Sequence, residues 1–266
     1  MRKLLLLALS TLLTLTLAVP SSAQTLAARK GVSANGVPGA SQALTAVGAS
    51  WYYTWAVNPQ GIATPPGVEF VPMIWGRGSV TPGALAEAKA NGTTLLGFNE
   101  PDMAGQANMT VQQALDLWPQ LQSTGMRLGA PAVAFGGDTP GGWLDRFMAG
   151  AAQRGYRVDF IPIHWYGSDF SAAATGHLES YLNAVYNRYR KPIWLTEYAL
   201  TDWSTGTARY PTQAQQVDFI NRSSAMLKSK SYVERFSWFT LNTQVAPTGL
   251  CNGGTPNASG NAYRAS

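Results

Sequence analysis

From residue 30 onward, short apolar or β-branched runs alternate with longer stretches whose apolar residues recur every three or four positions. That pattern predicts strands alternating with amphipathic helices, and hence a parallel sheet. Eight strands are predicted, at residues 30–35, 49–56, 69–75, 93–99, 127–130, 159–165, 192–196 and 234–241. A helix is predicted between Thr81-Pro82, which offers an N-cap and a proline in the first turn, and Asn91-Gly92, which stops it. A second runs from Thr110 to Gly125, where Pro119 should kink or shorten it. Further helices are predicted at 142–155, 173–190 and 212–230, whereas the connection 58–67 is too rich in Pro and Gly to predict one. The stretch after Leu250 reads as loop with a frayed end. Eight strands joined by right-handed crossovers in a chain of this length predict the α/β class and a (β/α)8 TIM barrel, with some outer helices short or missing.

Composition narrows the picture. Residues 1–23 have a basic start (Arg2, Lys3), an apolar run to about Val19 and a small-residue exit at Ser21-Ser22-Ala23, which predicts a secretory signal peptide cleaved after Ala23. The run is interrupted by Ser10, Thr11, Thr14 and Thr16 and falls short of the roughly 20 residues that span a bilayer, and no later segment reads as a membrane span. The expected product is a single barrel domain over 24–266, secreted or periplasmic, with no membrane partner and monomeric. One cysteine, Cys251, forbids an intramolecular disulfide, so stability must come from the core. Of the net charge of +5, two positive charges sit in the leader, and no basic run with interleaved aromatics points to nucleic acid. The 9 Trp and 11 Tyr, beside many Asn, Gln, Ser and Thr, suit a carbohydrate groove and suit a plain core equally.

Fourteen carboxylates can be sorted by position. Glu69, Asp159 and Glu234 open strands and therefore face the stability end of a barrel. Glu87, Asp116, Asp145, Glu179 and Asp218 fall within helices, and Asp138, Asp169 and Asp202 lie in loops without a fixed support. Glu100, in Gly97-Phe98-Asn99-Glu100-Pro101-Asp102, and Glu197, in Trp194-Leu195-Thr196-Glu197-Tyr198-Ala199, each end a strand, the fourth and the seventh. Two acids on one rim can divide the work of glycosidic cleavage, one protonating the leaving oxygen and the other stabilising the oxocarbenium-like carbon, with no metal required. Ordinary strand-end acids that cap the next helix are the alternative for either one alone.

These two motifs, with His164-Trp165-Tyr166-Gly167, Ser50-Trp51-Tyr52-Tyr53-Thr54-Trp55 and Trp238-Phe239, resemble glycoside hydrolase family 128, whose characterised members act on β-1,3-glucans. The resemblance covers nearly the whole chain after the leader, and it implies a retaining hydrolase with Glu100 as general acid/base and Glu197 as nucleophile. Asn99 matches the asparagine that binds the sugar 2-hydroxyl, and Tyr166 matches the phenol that orients the nucleophile. His164, two residues from Tyr166, shares its face of an extended strand and can reach the same site. Trp238 is expected to floor the subsite where the bond breaks, and Trp55 and Trp75 to line further subsites, with barrel packing the alternative for each. The expected partner is a β-glucan polysaccharide or oligosaccharide, with no cofactor. A relative acting on β-1,4-linked glycans and a non-catalytic polysaccharide-binding wall protein are the competing readings. A serine-hydrolase or zinc-cluster reading fails for want of a Gly-x-Ser-x-Gly elbow and a cysteine cluster.

Overall fold

A computed structural model describes residues 29–266, so the predicted signal peptide lies outside the described residues. The eight predicted strands are all present, as β1 (Lys30–Ser33), β2 (Trp51–Tyr53), β3 (Glu69–Phe70), β4 (Thr94–Leu95), β5 (Arg127–Leu128), β6 (Ile161–Gly167), β7 (Ile193–Leu200) and β8 (Val233–Trp238). Every neighbouring pair is parallel, in the order β3-β2-β1-β8-β7-β6 with β4-β5 beside it. Single bridges at Met73/Leu96 and Gly129/Phe160 join β4-β5 to the sheet on both sides. The ring is thereby closed, as the eight-strand pattern predicts for a TIM barrel. Strands β3, β4 and β5 are only two residues long, shorter than their apolar runs, because the ladder around them is reduced to isolated bridges.

The outer layer comprises α1 (Ala40–Ala46), α2 (Pro82–Asn91), α3 (Val111–Gln122), α4 (Trp143–Gln153), α5 (Ala174–Tyr189), α6 (Gln213–Ser229) and α7 (Ala258–Ala265). Only the Pro- and Gly-rich β2–β3 connection lacks a helix. Thr110 with Gln113, and Thr212 with Gln215, form capping boxes that satisfy the first free N–H groups of α3 and α6. Pro119 does not end α3, which runs on to Gln122. The frayed end expected after Leu250 is instead a short hairpin, β9 (Cys251–Asn252) with β10 (Thr255–Pro256), followed by α7. Tyr263 is fully buried there and donates to the Gly31 carbonyl at 2.6 Å, so this helix seals the barrel rather than trailing from it.

Two cores follow from strand alternation. Trp51, Tyr53, Val71, Met73, Leu96, Phe160 and Trp194 fill the barrel interior, and a larger layer packs between strands and helices. Below the interior aromatics, the Arg235 guanidinium lies 4.4 Å from the Trp194 ring centre, while Glu234 accepts from Trp194 Nε1 and pairs with Arg127. Strand-opening acids thus serve the closed end, leaving the other rim free for a site.

Candidate active site

Strict alternation would send Trp194 and Glu197, three residues apart, to opposite faces of β7. A bulge prevents this. The β6–β7 register runs Ile163/Leu195 and then His164/Glu197, so that Thr196 is the extra residue, and the β7–β8 register shifts in the same stretch. Trp194 therefore plugs the barrel while Glu197 turns into the cleft above it, a re-aiming that bulges commonly supply next to active sites. Glu197 Oε1 accepts from Tyr53 Oη at 3.0 Å and Trp55 Nε1 at 2.8 Å, and Oε2 accepts from Tyr166 Oη. Burial, followed by the charge of Glu197, pushes the phenol pKa values of Tyr53 and Tyr166 well above the usual range, so both remain donors.

Glu100 follows β4 with φ at 42°, a left-handed backbone uncommon for a residue with a side chain. Its own N–H donates to Ala132 O at 2.7 Å. Asp102, two residues on, accepts from the backbone N–H groups of Ala134 and Phe135 and ties this loop to the one after β5. Glu100 Oε1 lies 2.8 Å from His164 Nδ1, and His164 Nε2 lies 3.6 Å from Glu197 Oε1. One atom from each of Glu100, His164 and Glu197 falls within 4.8 Å of the others. As donors to a metal, these side chains would compete with the hydroxyl and indole groups that already solvate Glu197. As an acid and base pair they need no rearrangement.

Both glutamates line a cleft of about 870 Å³ together with Asn99, Trp55, Trp75 and Tyr166. Asn99 is buried, and its side-chain carbonyl oxygen has no partner, so it is free to accept a hydroxyl. His164 lines the cleft beside the glutamates, with its side chain fully buried against them. Trp238 departs from its expected role. Interior positions of β8 follow Arg235, and so are odd-numbered. The even-numbered Trp238 is therefore turned outward, completely buried among Tyr198, Phe219 and Tyr263, with its indole N–H on Thr248 O. Phe239 takes the place in the cleft that was expected of Trp238.

Tyr53 is the functional side chain missed in the sequence. The period of two in Trp51, Tyr53 and Trp55 could have revealed it, since a residue between two interior tryptophans shares their face. Asp202, expected to lack support, is buried on the cleft wall, accepting from Ser204 N at 2.8 Å and pairing with Arg209. The exposed large apolar side chains Met103, Phe135, Trp203 and Val245 all border this same cleft, a concentration that marks a binding surface.

The profile of the glycosyl hydrolase catalytic core family matches residues 32–263. The crystal structure of a family 128, subgroup I endo-β-1,3-glucanase from Amycolatopsis mediterranei in complex with laminaritriose superposes with a TM-score of 0.89, at 70% identity, covering 90% of this chain and 99% of that one. The chain belongs to glycoside hydrolase family 128. A subgroup II endo-β-1,3-glucanase of this family from Sorangium cellulosum is 28% identical, with a TM-score of 0.74, over 89% of this chain and 97% of that one. Alkali-sensitive linkage protein 1 of Schizosaccharomyces pombe is 31% identical over 74% of this chain. The match spans 36% of that protein's length. The protein is therefore a glycoside hydrolase built on the family's barrel.

Proposed function

We propose that this hydrolase cleaves β-1,3-glucan by double displacement, with Glu100 as acid/base and Glu197 as nucleophile, and that it is exported. The observation that carries the reading is the approach of Glu100 and Glu197 oxygens to within 4.8 Å. Retention goes with carboxyl groups about 5–5.5 Å apart, whereas inversion needs about 6.5–9.5 Å to admit a water. The linkage is supported by the A. mediterranei enzyme, which was crystallised with laminari-oligosaccharides and as variants at two glutamates spaced along its chain as Glu100 and Glu197 are here.

In the first step Glu197 attacks the anomeric carbon while Glu100 transfers its proton to the glycosidic oxygen; the C–O bond breaks and a glycosyl ester forms on Glu197. In the second, Glu100, now a carboxylate, takes a proton from a water that attacks the same carbon and releases Glu197. Tyr53, Trp55 and Tyr166 hold the nucleophile in line through its two oxygens, which is positioning already in place before substrate arrives. The free Asn99 oxygen accepts the 2-hydroxyl, a contact that strengthens as charge builds on the ring. Trp55 and Trp75 offer aromatic faces to neighbouring sugars.

Reducing-end release from laminarin and from carboxymethyl cellulose tests the linkage, and proton NMR of the first product tests the stereochemistry. Laminarin should be cleaved to β-anomers, with Glu100→Gln and Glu197→Gln each losing about a thousandfold or more in kcat, roughly 4 kcal/mol, at unchanged circular dichroism. An α-anomer formed first would end the double-displacement reading, and turnover of the cellulose alone would replace the linkage. Export predicts mature protein in the medium or periplasm beginning at Gln24; retention of residues 1–23 would refute it.

A further inference from the structure

The imidazole of His164 lies between the two glutamates of the cleft. It is fully buried, its Nδ1 is 2.8 Å from Glu100 Oε1, and its Nε2 has no hydrogen-bond partner within range but faces Glu197 Oε1 at 3.6 Å. The bulge at Thr196 produces this placement, because it sets Glu197 rather than Thr196 directly across from His164.

We propose that His164 is a positioning residue that stays protonated between the two glutamates and balances whichever of them carries the negative charge. The inference rests on the double-displacement reading and extends it. Before reaction the charge is on Glu197 and the proton to be donated is on Glu100. When the glycosyl ester forms, Glu197 becomes neutral and Glu100, having given its proton to the leaving oxygen, becomes the carboxylate. The cluster therefore keeps one net carboxylate charge while that charge crosses from one side of the imidazole to the other. A ring that presents an N–H to each side faces an anion in both states. His164 exchanges no proton in either step; it lowers the cost of the crossing.

The charged groups acting on the ring are all acidic: Glu197 from β7, and Glu100 and Asp102 from the segment after β4. Tyr53 of β2 and Tyr166 of β6 face Glu197 with neutral hydroxyls, so they do not supply a competing cation. Burial opposes a charge on the ring, yet the Glu197 and Glu100 carboxylates outweigh it and raise the His164 pKa above the ordinary histidine value. An unpaired buried cation would be costly, whereas one flanked by two acids is compensated.

The chain has two histidines, His164 and the exposed His177, so nitrogen-15 histidine NMR can follow them separately, with His177→Gln making the assignment. At pH 7 both ring nitrogens of His164 should carry protons in the free enzyme and in the glycosyl-enzyme trapped with a 2-fluoro laminaribiosyl donor. A neutral ring in either state overturns the proposal. In parallel, His164→Gln should lower kcat and move both limbs of the kcat/KM pH profile alkaline by about one unit, since losing a cation makes each carboxyl easier to protonate. A loss of kcat with unmoved limbs would reduce His164 to packing and overturn the proposal. A wild-type enzyme that inverts configuration refutes the double-displacement reading by itself, whereas a neutral His164 in an enzyme that retains configuration refutes this inference alone.

Discussion

Replacing Trp238 and Phe239 separately should give opposite phenotypes, although the two are adjacent in sequence. In Trp238→Phe the indole N–H bond to Thr248 O, at 2.8 Å, is lost, but that carbonyl keeps its bond from Gln216 Nε2 at 3.0 Å, so no acceptor is orphaned. The net loss from this bond is about 1 kcal/mol. The smaller ring also leaves a gap against Tyr198, Phe219 and Tyr263, which adds on the order of 1–2 kcal/mol when neighbours relax only partly. At roughly 2–4 °C per kcal/mol for a chain of this size, Tm should fall by about 5–10 °C in a thermal scan. Laminarin kcat/KM at 25 °C should stay within about twofold of wild type, because the ring does not reach the cleft. Phe239→Ala removes a ring packed edge-on against Tyr166 and Trp55, at 5.5 Å and 6.0 Å between centroids, and should lower kcat/KM by about tenfold, roughly 1.4 kcal/mol. If Trp238→Phe cost tenfold in kcat/KM with an unchanged Tm, the outward orientation of that side chain would be wrong.

Tyr53→Phe removes one of three donors to Glu197 and should lower kcat by about 10- to 100-fold with little change in KM, in line with about 1.5–3 kcal/mol for a bond to a charged group; an unchanged kcat would show that Trp55 and Tyr166 position Glu197 without it. Bonds from Ser204 and the Arg209 charge lower the Asp202 pKa from 3.8 to about 2, so its contribution to stability is complete above about pH 4 and disappears as the pH falls toward 2. Asp202→Asn should therefore narrow the Tm difference from wild type across that window, and a constant difference would refute the assignment.

Much of the architecture was legible in one dimension. Strand runs, helix caps at Thr81, Thr110 and Thr212, and the helix-free connection after the second strand are local preferences, and each survives in the folded chain. Glu100 and Glu197 could be selected because a strand's carboxyl end is a position countable along the sequence. The C-terminal helix was not legible, since its polar stretch of eight residues is too short to be stable alone and is held by the burial of Tyr263. Nor was the orientation of Trp238, which depends on strand parity and so on which neighbouring position enters the barrel.

What the sequence by itself determined was the set of elements and the chemical types brought to one rim, because hydrophobic period and turn chemistry act over a few residues. Only the tertiary structure decided which side chains meet there. A single extra residue in β7, visible only as a register shift against β6 and β8, turns Glu197 into the cleft and sets it opposite His164. Register is settled by pairing between strands distant in the chain, and a slip of one residue reverses every side chain beyond it.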